Sequence, residues 1–94
     1  MRLIVSAAAA VDLERLHAFL AEKDAAAAQR AATALIDAIQ SLEVFPDRGR
    51  ASGIPGIREL IVPFGRSAYI VRYFRSSRFD AVTILRVWHG REDR

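Results

Sequence analysis

The sequence predicts an α+β fold of element order β-α-α-β-β-β, in which a helical hairpin packs on one face of a small antiparallel sheet. Three observations predict it. Leucine and alanine recur at helical spacing in the first half, apolar runs of strand length follow residue 56, and turn residues separate those runs at hairpin lengths. No repeat or linker interrupts the sequence, so we expect one domain over residues 1–94.

The first half predicts a short strand followed by two helices. The strand spans Arg2–Val5, and Ser6 follows as an N-cap whose hydroxyl can accept from a free helix N–H. The first helix is predicted over Ala7–Lys23, and Asp24 caps a second helix from Ala25 to about Val44. Only a short turn separates the helices, so they must fold back as an antiparallel hairpin. Their apolar stripes are Leu13, Leu16 and Leu20 with Phe19 alongside, and Ala28, Ala31, Ala32, Leu35, Ile39 and Leu42.

The second half predicts a long loop and then a three-stranded antiparallel meander. Two prolines and three glycines fall within Pro46–Gly56, which we interpret as the loop that ends the second helix. The predicted strands are Ile57–Val62, Ser67–Phe74 and Phe79–Trp88, and four-residue turns separate them. On the middle strand, Tyr69, Val71 and Tyr73 share one face, which favours core packing.

Composition excludes several classes of protein. The chain has no cysteine, so neither a disulfide framework nor a thiolate metal site can form, and two histidines suggest no metal site. We therefore expect no metal and no cofactor. The apolar run at the N-terminus is too short for a signal peptide, and no run approaches the length of a membrane span. We expect a cytoplasmic protein that does not associate with membranes.

Charge is distributed unevenly along the chain. Residues 1–45 hold four basic and six acidic residues, whereas residues 46–94 hold ten arginines, no lysine and five acidic residues. A guanidinium forms a planar fork suited to carboxylates, phosphates and aromatic faces, so this bias indicates a binding surface. Codon usage that favours arginine and alanine together is the competing explanation, since the first half is equally rich in alanine.

The segment from Leu85 to Arg94 gathers more candidate contact groups than any other. An apolar strand runs there into a basic tip, and its candidate residues are Arg86, Trp88, His89 and Arg91. Strand alternation places Arg86 opposite Leu85 and Val87, and thus facing solvent or a partner. Trp88 serves equally well as a cap on the apolar edge of the sheet. Arg91 and Arg94 can also be read as a solvated tail.

Five short motifs, in order and over essentially the whole chain, resemble the RelE/ParE superfamily of bacterial toxins, and within it the ParE branch. They are Asp12-Leu13, Leu42-x-x-Phe45-Pro46-x-x-Gly49, Gly56-Ile57-Arg58-Glu59-Leu60, Tyr69-Ile70-Val71-Arg72-Tyr73, and Ile84-Leu85-Arg86-Val87-Trp88-His89-Gly90-Arg91. The resemblance implies a toxin of a type II toxin–antitoxin system, held inactive by a cognate antitoxin. RelE-branch toxins cut mRNA on the ribosome, whereas ParE-branch toxins poison DNA gyrase.

The candidate site favours the ParE-like function. Cleavage of RNA needs an activated 2′-hydroxyl, cations at the phosphate and an acid for the leaving oxygen. Under the alternative nuclease hypothesis, Arg58, His89 and Arg91 would supply these groups, with His89 as acid or base. The position that carries an arginine in the nucleases corresponds to Ile70, and no tyrosine follows Tyr73. We therefore expect no catalytic residues and a gyrase inhibitor that acts by binding.

The expected partners follow from the same resemblance. We expect Arg86, Trp88, His89 and Arg91 to contact gyrase, the antitoxin or both, because Trp and Arg dominate interface energetics. Antitoxins of this family are typically acidic and partly disordered at their C-termini, so the toxin and antitoxin are expected to form a hetero-oligomer. The groove beside the helical hairpin and an open sheet edge are both candidate docking surfaces. Direct nucleic-acid binding is left open.

Overall fold

The computed structural model describes residues 1–92, which form two helices on one face of a five-stranded sheet. The α+β class and the helical hairpin are thus confirmed. In chain order the elements are β1 (Arg2–Val5), α1 (Ala7–Ala21), α2 (Ala25–Ser41), β2 (Arg50–Ala51), β3 (Ile57–Phe64), β4 (Ser67–Ser76) and β5 (Ala81–His89). Of the described helices, none is both long enough and apolar enough to cross a membrane.

Both predicted helix caps are present. The Ser6 hydroxyl accepts from the Ala9 N–H at 3.1 Å, and the Asp24 carboxylate accepts from the Ala27 N–H at 3.0 Å. Each side chain therefore satisfies a helix N–H that has no carbonyl partner within the helix. Both helices end two to three residues before the predicted positions, at Ala21 and at Ser41.

The sheet order is β1-β5-β4-β3-β2. Strands β3, β4 and β5 form the predicted antiparallel meander, but β1 pairs with β5 in parallel, from Arg2↔Ala81 to Val5↔Ile84. The sheet is therefore mixed, and the prediction of a wholly antiparallel sheet was wrong in this respect. A four-residue strand carries no local signal for the direction of a partner nearly eighty residues away.

The segment predicted as a loop contains an additional strand. Arg50 pairs with Glu59 and Ala51 with Arg58, so β2 extends the sheet beyond β3. Two residues are too few to show an alternation, and the surrounding prolines and glycines conceal the pairing from sequence analysis.

The core lies between the helices and one face of the sheet. Its central residues are Leu16, Leu35, Ile39 and Leu42 from the helices, and Leu60, Val62, Tyr69, Val71, Tyr73, Val82, Ile84 and Val87 from the sheet. The predicted core positions of Tyr69, Val71 and Tyr73 are confirmed, since none is more than 5% exposed.

A register shift in β5 determines which side chains of the C-terminal segment enter the core and which lie on the other face of the sheet. Tyr73 lies opposite Ile84, but Arg72 lies opposite Arg86, so the pairing shifts by one residue on β5. As a result Ile84 and Val87, three residues apart, both enter the core, and each is fully buried. Strict alternation from Ile84 would have turned Arg86 into the core, which the irregularity avoids.

Candidate functional site

The basic tip that follows β5 is an ordered turn. The Gly90 N–H donates to the Ala68 carbonyl at 2.7 Å and the Glu92 N–H donates to the His89 carbonyl at 2.8 Å. A Cβ at Gly90 would lie 3.0 Å from the same Ala68 oxygen, so a side chain there would press on β4. The tip is therefore seated closely against the neighbouring strand.

Helix α1 holds the other side of the tip. Arg15 donates from both terminal nitrogens to the two carboxylate oxygens of Glu92, each at 3.2 Å, and one of those oxygens also accepts from the His89 N–H at 3.3 Å. This two-point pairing fixes the orientation of the guanidinium as well as its distance. It joins residues 77 positions apart, so it fixes the tip relative to the hairpin.

A groove of about 820 Å³ opens between α1, the β3–β4 turn and the tip. Its apolar wall is formed by Leu16, Leu20, Phe64 and Tyr69, and Phe19 stands at the rim with 61% of its surface exposed. Arg66 and Arg91 also line the groove, and within residues 1–92 neither has an ion-pair partner. The groove is thus apolar at its base and positively charged at its margin.

A smaller apolar cleft continues from this groove between the two helices. It measures about 290 Å³ and shares Leu16, Leu20 and Tyr69 with the groove. Its far wall comes from Ala28, Ala31 and Ala32, whose small side chains leave space where α2 passes α1. Together the groove and the cleft form an apolar surface with arginines at its margin. Such a surface suits a partner segment that carries both apolar side chains and carboxylates.

His89 lies at the edge of the groove in a packed position. Its ring meets Tyr69 edge to face, with centroids 5.4 Å apart, and its Nδ1 accepts from the Arg91 N–H at 3.2 Å. Burial raises the pKa of the neighbouring Tyr69 hydroxyl above its usual value. The position of His89 therefore fits a role in shaping the tip and packing the groove wall.

Arg86 and Trp88 belong to a different surface. Both occupy strand positions on the sheet face away from the helices, although the Arg86 guanidinium reaches back to Asp12 of α1. Trp88 is only 7% exposed, and the Arg72 guanidinium stacks on it at 4.9 Å from the ring centroid. The structure thus divides the four C-terminal candidates, with Arg86 and Trp88 on the outer sheet face and His89 and Arg91 at the groove. The candidate role of Arg94 lies outside the described residues.

Asp12 is a site residue that sequence analysis missed. Its buried carboxylate accepts from Nε and Nη2 of Arg86 at 2.8 and 3.1 Å, and from the Val87 N–H at 2.8 Å. The hydrogen bonds to Asp12 raise the pKa of the Arg86 guanidinium above its usual value. A signal was available, because Asp12 is spaced three and four residues from the core positions Ala9 and Leu16.

The Arg58 side chain binds the loop that follows α2. Its Nη1 donates to the Gly49 carbonyl at 2.7 Å, and its Nε lies 3.5 Å from the Asp47 carboxylate. The same carboxylate oxygen lies 3.0 Å from Nε of Arg75, as an ion pair without hydrogen-bond geometry. Glu59 forms cross-strand ion pairs with Arg72 at 2.8 Å and with Arg50 at 3.3 Å.

The candidate nuclease residues are not brought together. Arg58 lies opposite Tyr73 on β4, whereas His89 lies opposite Tyr69. Four residues of strand correspond to about 13 Å, and two strand spacings add about 10 Å across the sheet. At these separations a single phosphate group cannot contact both the strand around Arg58 and the tip that begins at His89.

The turn that contains Gly49 packs against Tyr73, although the sequence indicated only a helix stop. The Tyr73 hydroxyl donates to the Pro46 carbonyl at 2.7 Å and accepts from the Gly49 N–H at 2.9 Å. A Cβ at Gly49 would lie 2.8 Å from the tyrosine ring, so the contact requires glycine. Burial raises the pKa of Tyr73, which keeps the hydroxyl protonated as a donor.

Comparison with known proteins assigns the family. The family described as "ParE toxin of type II toxin-antitoxin system, parDE" matches residues 3–94. The chain belongs to the ParE toxin family. The curated protein "Toxin RelE1" of Caulobacter vibrioides is 43% identical over 91 residues, which cover 97% of this chain and 95% of that protein.

A solved structure supports the same fold for this ParE family member. The chain is similar to a structure titled "Chromosomal ParDE TA system from P. aeruginosa", with a TM-score of 0.76 and 22% identity over 95% of each chain. At that identity the likeness concerns the arrangement of helices and strands.

Proposed function

We propose that this ParE family member is the toxin of a type II toxin–antitoxin pair and inhibits DNA gyrase by binding, without catalysing a reaction itself. The observation that carries the non-catalytic part is the separation of Arg58 from His89 and Arg91 across the sheet. Arg58 is also held by the Gly49 carbonyl, and Nδ1 of His89 is held by the Arg91 N–H. General acid–base cleavage of RNA needs such groups within hydrogen-bond reach of one phosphodiester.

The proposed neutralising partner is an acidic antitoxin segment that docks in the groove. Apolar side chains of that segment would cover Leu16, Leu20 and Phe64, while its carboxylates would pair with Arg66 and Arg91. A disordered acidic segment that folds on binding can fill both the groove and the interhelical cleft. The net charge of +3 on the toxin speeds the approach of such a partner at low salt.

A RelE-like ribosome-dependent mRNA endonuclease is the second candidate. The observation that favours it is the name of the 43% identical relative, Toxin RelE1. Its catalytic groups would be Arg58, His89 and Arg91, and the tip would have to move toward Arg58 on the ribosome.

Two assays on the purified toxin separate these candidates. We expect cleaved plasmid DNA to accumulate when toxin is added to gyrase, ATP and supercoiled plasmid, and mRNA on programmed ribosomes to remain intact. Addition of the cognate antitoxin should abolish the effect on gyrase. Cleavage of the ribosome-bound message with no effect on gyrase would establish the nuclease instead.

A further inference from the structure

The sheet face away from the helices is an ordered surface of three cross-strand rows, which we call the open sheet face. One row is apolar and runs from Ile61 through Ile70 to Trp88. The next row is charged, and a third row is again largely apolar. The helices pack on the opposite face. Ile61, Arg72 and Phe74 of these rows are partly exposed, whereas Trp88 is only 7% exposed.

The charged row presents guanidinium groups that are already held in place. It runs from Arg50 through Glu59 and Arg72 to Arg86, each residue opposite the next in the strand register. Arg72 donates through Nε and Nη2 to Glu59, and Arg86 donates through the same pair of nitrogens to Asp12. One edge of each guanidinium is thereby fixed, and both side chains remain 42% exposed.

Trp88 supports this arrangement from below. The Arg72 guanidinium stacks over its ring, so Arg72 is fixed both by a carboxylate and by an aromatic face. An arginine immobilised in this way loses little side-chain entropy when it binds a carboxylate. Arg72 therefore has the features of an interface anchor.

The third row supplies apolar area on the other side of the charges. Phe74 lies opposite Ile57 and Thr83, and Ile4 lies opposite Thr83. Phe74 is 39% exposed, and Ile4 and Ile61 are each 37% exposed. A charged row between two partly exposed apolar rows is the composition of a protein interface, where arginine and aromatic residues carry most of the binding energy.

The charge balance distinguishes a protein partner from a nucleic acid. Within the charged row, three arginines are offset by Glu59 and by the Asp12 carboxylate that binds Arg86, so the row carries a net charge of only about +1, with a carboxylate in its middle. Binding to a phosphate backbone needs several uncompensated cations. The face instead fits a folded protein surface that offers carboxylates between apolar side chains.

We propose that the open sheet face is the surface through which this toxin contacts gyrase, at an acidic and apolar patch of that enzyme. This inference rests on the proposed function and assigns its target to a surface separate from the antitoxin groove. Arg50, Arg72 and Arg86 pair with the acidic residues of the patch, and Ile61 and Phe74 bury apolar area beside them.

The test uses the Ile61→Asp variant, which places a negative charge in the apolar row. Half-inhibition of gyrase supercoiling should require about tenfold more Ile61→Asp toxin than wild type, because apolar contact area is lost and a charge of the same sign as the carboxylates of the patch is introduced. The matched control is Val44→Asp, an exposed aliphatic residue after α2, which should inhibit within about twofold of wild type. Antitoxin affinity, measured on the same samples, should be unchanged in both variants.

A second variant, Arg50→Ala, covers the case in which Ile61→Asp does not fold. The Arg50 side chain is 66% exposed at the edge of the sheet, so its removal leaves the fold intact. We expect a loss of gyrase inhibition of about threefold, with no change in antitoxin affinity.

The possible failures are distinguishable. A wild-type toxin that does not inhibit gyrase defeats the proposed function itself. A wild-type toxin that inhibits gyrase, with both face variants equally potent, overturns only the assignment of the face. Equal losses of antitoxin binding and gyrase inhibition in Arg50→Ala also overturn it, as does a parallel loss of affinity for labelled duplex DNA.

Discussion

At the scale of single residues, Asp12 connects helix α1 to the part of β5 that β1 does not reach. The pairing of β1 with β5 ends at Ile84, so the backbone of β5 beyond that residue has no strand partner on this side. The Asp12 carboxylate accepts the Val87 N–H there and holds the Arg86 side chain against the same edge. One side chain thus replaces a strand partner and positions a residue of the open sheet face.

Removal of that carboxylate should destabilise the fold. For Asp12→Ala we expect the free energy of unfolding to fall by about 2 kcal/mol, chiefly because the buried Val87 N–H loses its acceptor. Urea denaturation followed by circular dichroism measures the change. Asp37→Ala, which removes an exposed carboxylate from α2, should stay within about 0.5 kcal/mol of wild type. Equal effects of the two substitutions would contradict the structural role of Asp12.

At the scale of elements, one side of α1 organises the C-terminal half of the chain. Asp12, Arg15 and Phe19 recur at helical spacing, and they meet β5, the tip and the groove in turn. The helix therefore sets both the position of β5 and the width of the groove. The tip and helix α1 consequently line a common groove, the proposed antitoxin site, although they lie far apart in the sequence.

Phe19 tests the groove as the antitoxin site. We expect Phe19→Ala to weaken binding of the cognate antitoxin about tenfold, because a large, exposed aromatic contact at the rim of the groove is lost. Isothermal titration calorimetry gives the affinity. Phe79→Ala is the matched control, since Phe79 is 65% exposed in the turn before β5 and lies outside the groove. Similar affinities for the two variants would place the antitoxin elsewhere.

At the scale of the whole molecule, the sheet separates the two surfaces that we propose for binding. The helix side carries the groove with Arg66 and Arg91, and the opposite side carries the charged row that begins at Arg50. Strand alternation together with the register shift in β5 produces this separation, because residues after the shift alternate between the two faces. Under the two proposals, one short segment of sequence contributes residues to the contacts with both partners.

The charged row also makes stability depend on pH. The Arg72 hydrogen bonds, more than the burial that opposes them, hold the pKa of Glu59 below its usual value. A carboxylate with a lowered folded-state pKa contributes stability above its unfolded pKa of about 4.3, and this contribution is lost as the pH falls through the folded value.

We therefore expect the urea concentration at the unfolding midpoint of the wild type to decrease as the pH is lowered from about 5 to about 3. The Glu59→Gln variant should show a shallower fall over that range, because its amide does not titrate. Glu43→Gln, which alters an exposed residue after α2, should reproduce the wild-type slope. A Glu59→Gln curve parallel to the wild type would show that Glu59 does not contribute.

Much of the fold follows from local sequence patterns. Apolar spacing predicted both helices and the three meander strands, and the polar residues Ser6 and Asp24 marked the helix starts. Five short motifs were sufficient for the resemblance to the ParE branch, and the family comparison confirmed it. These features depend on neighbours within a few residues, so a single sequence contains them.

The candidate site could be predicted only in part. The sequence identified the residue types of the C-terminal segment, but it gave no means of assigning them to separate surfaces. That division depends on the register shift opposite Arg72 and on the pairing of Gly90 with Ala68, which are relations between strands. The burial of Asp12 likewise depends on where α1 crosses the sheet.

The sequence by itself determined the order of the first strand, the two helices and the three meander strands, together with the helix caps, the core face of the middle strand and the toxin family. The tertiary structure alone decided that β1 joins β5 in parallel and that β2 exists. It also decided that Arg58 lies far from His89, and that Arg86 and Trp88 face away from Arg91. The physical reason is range, since helical periodicity and capping act over a few residues, whereas register and strand direction are set by contacts between distant segments.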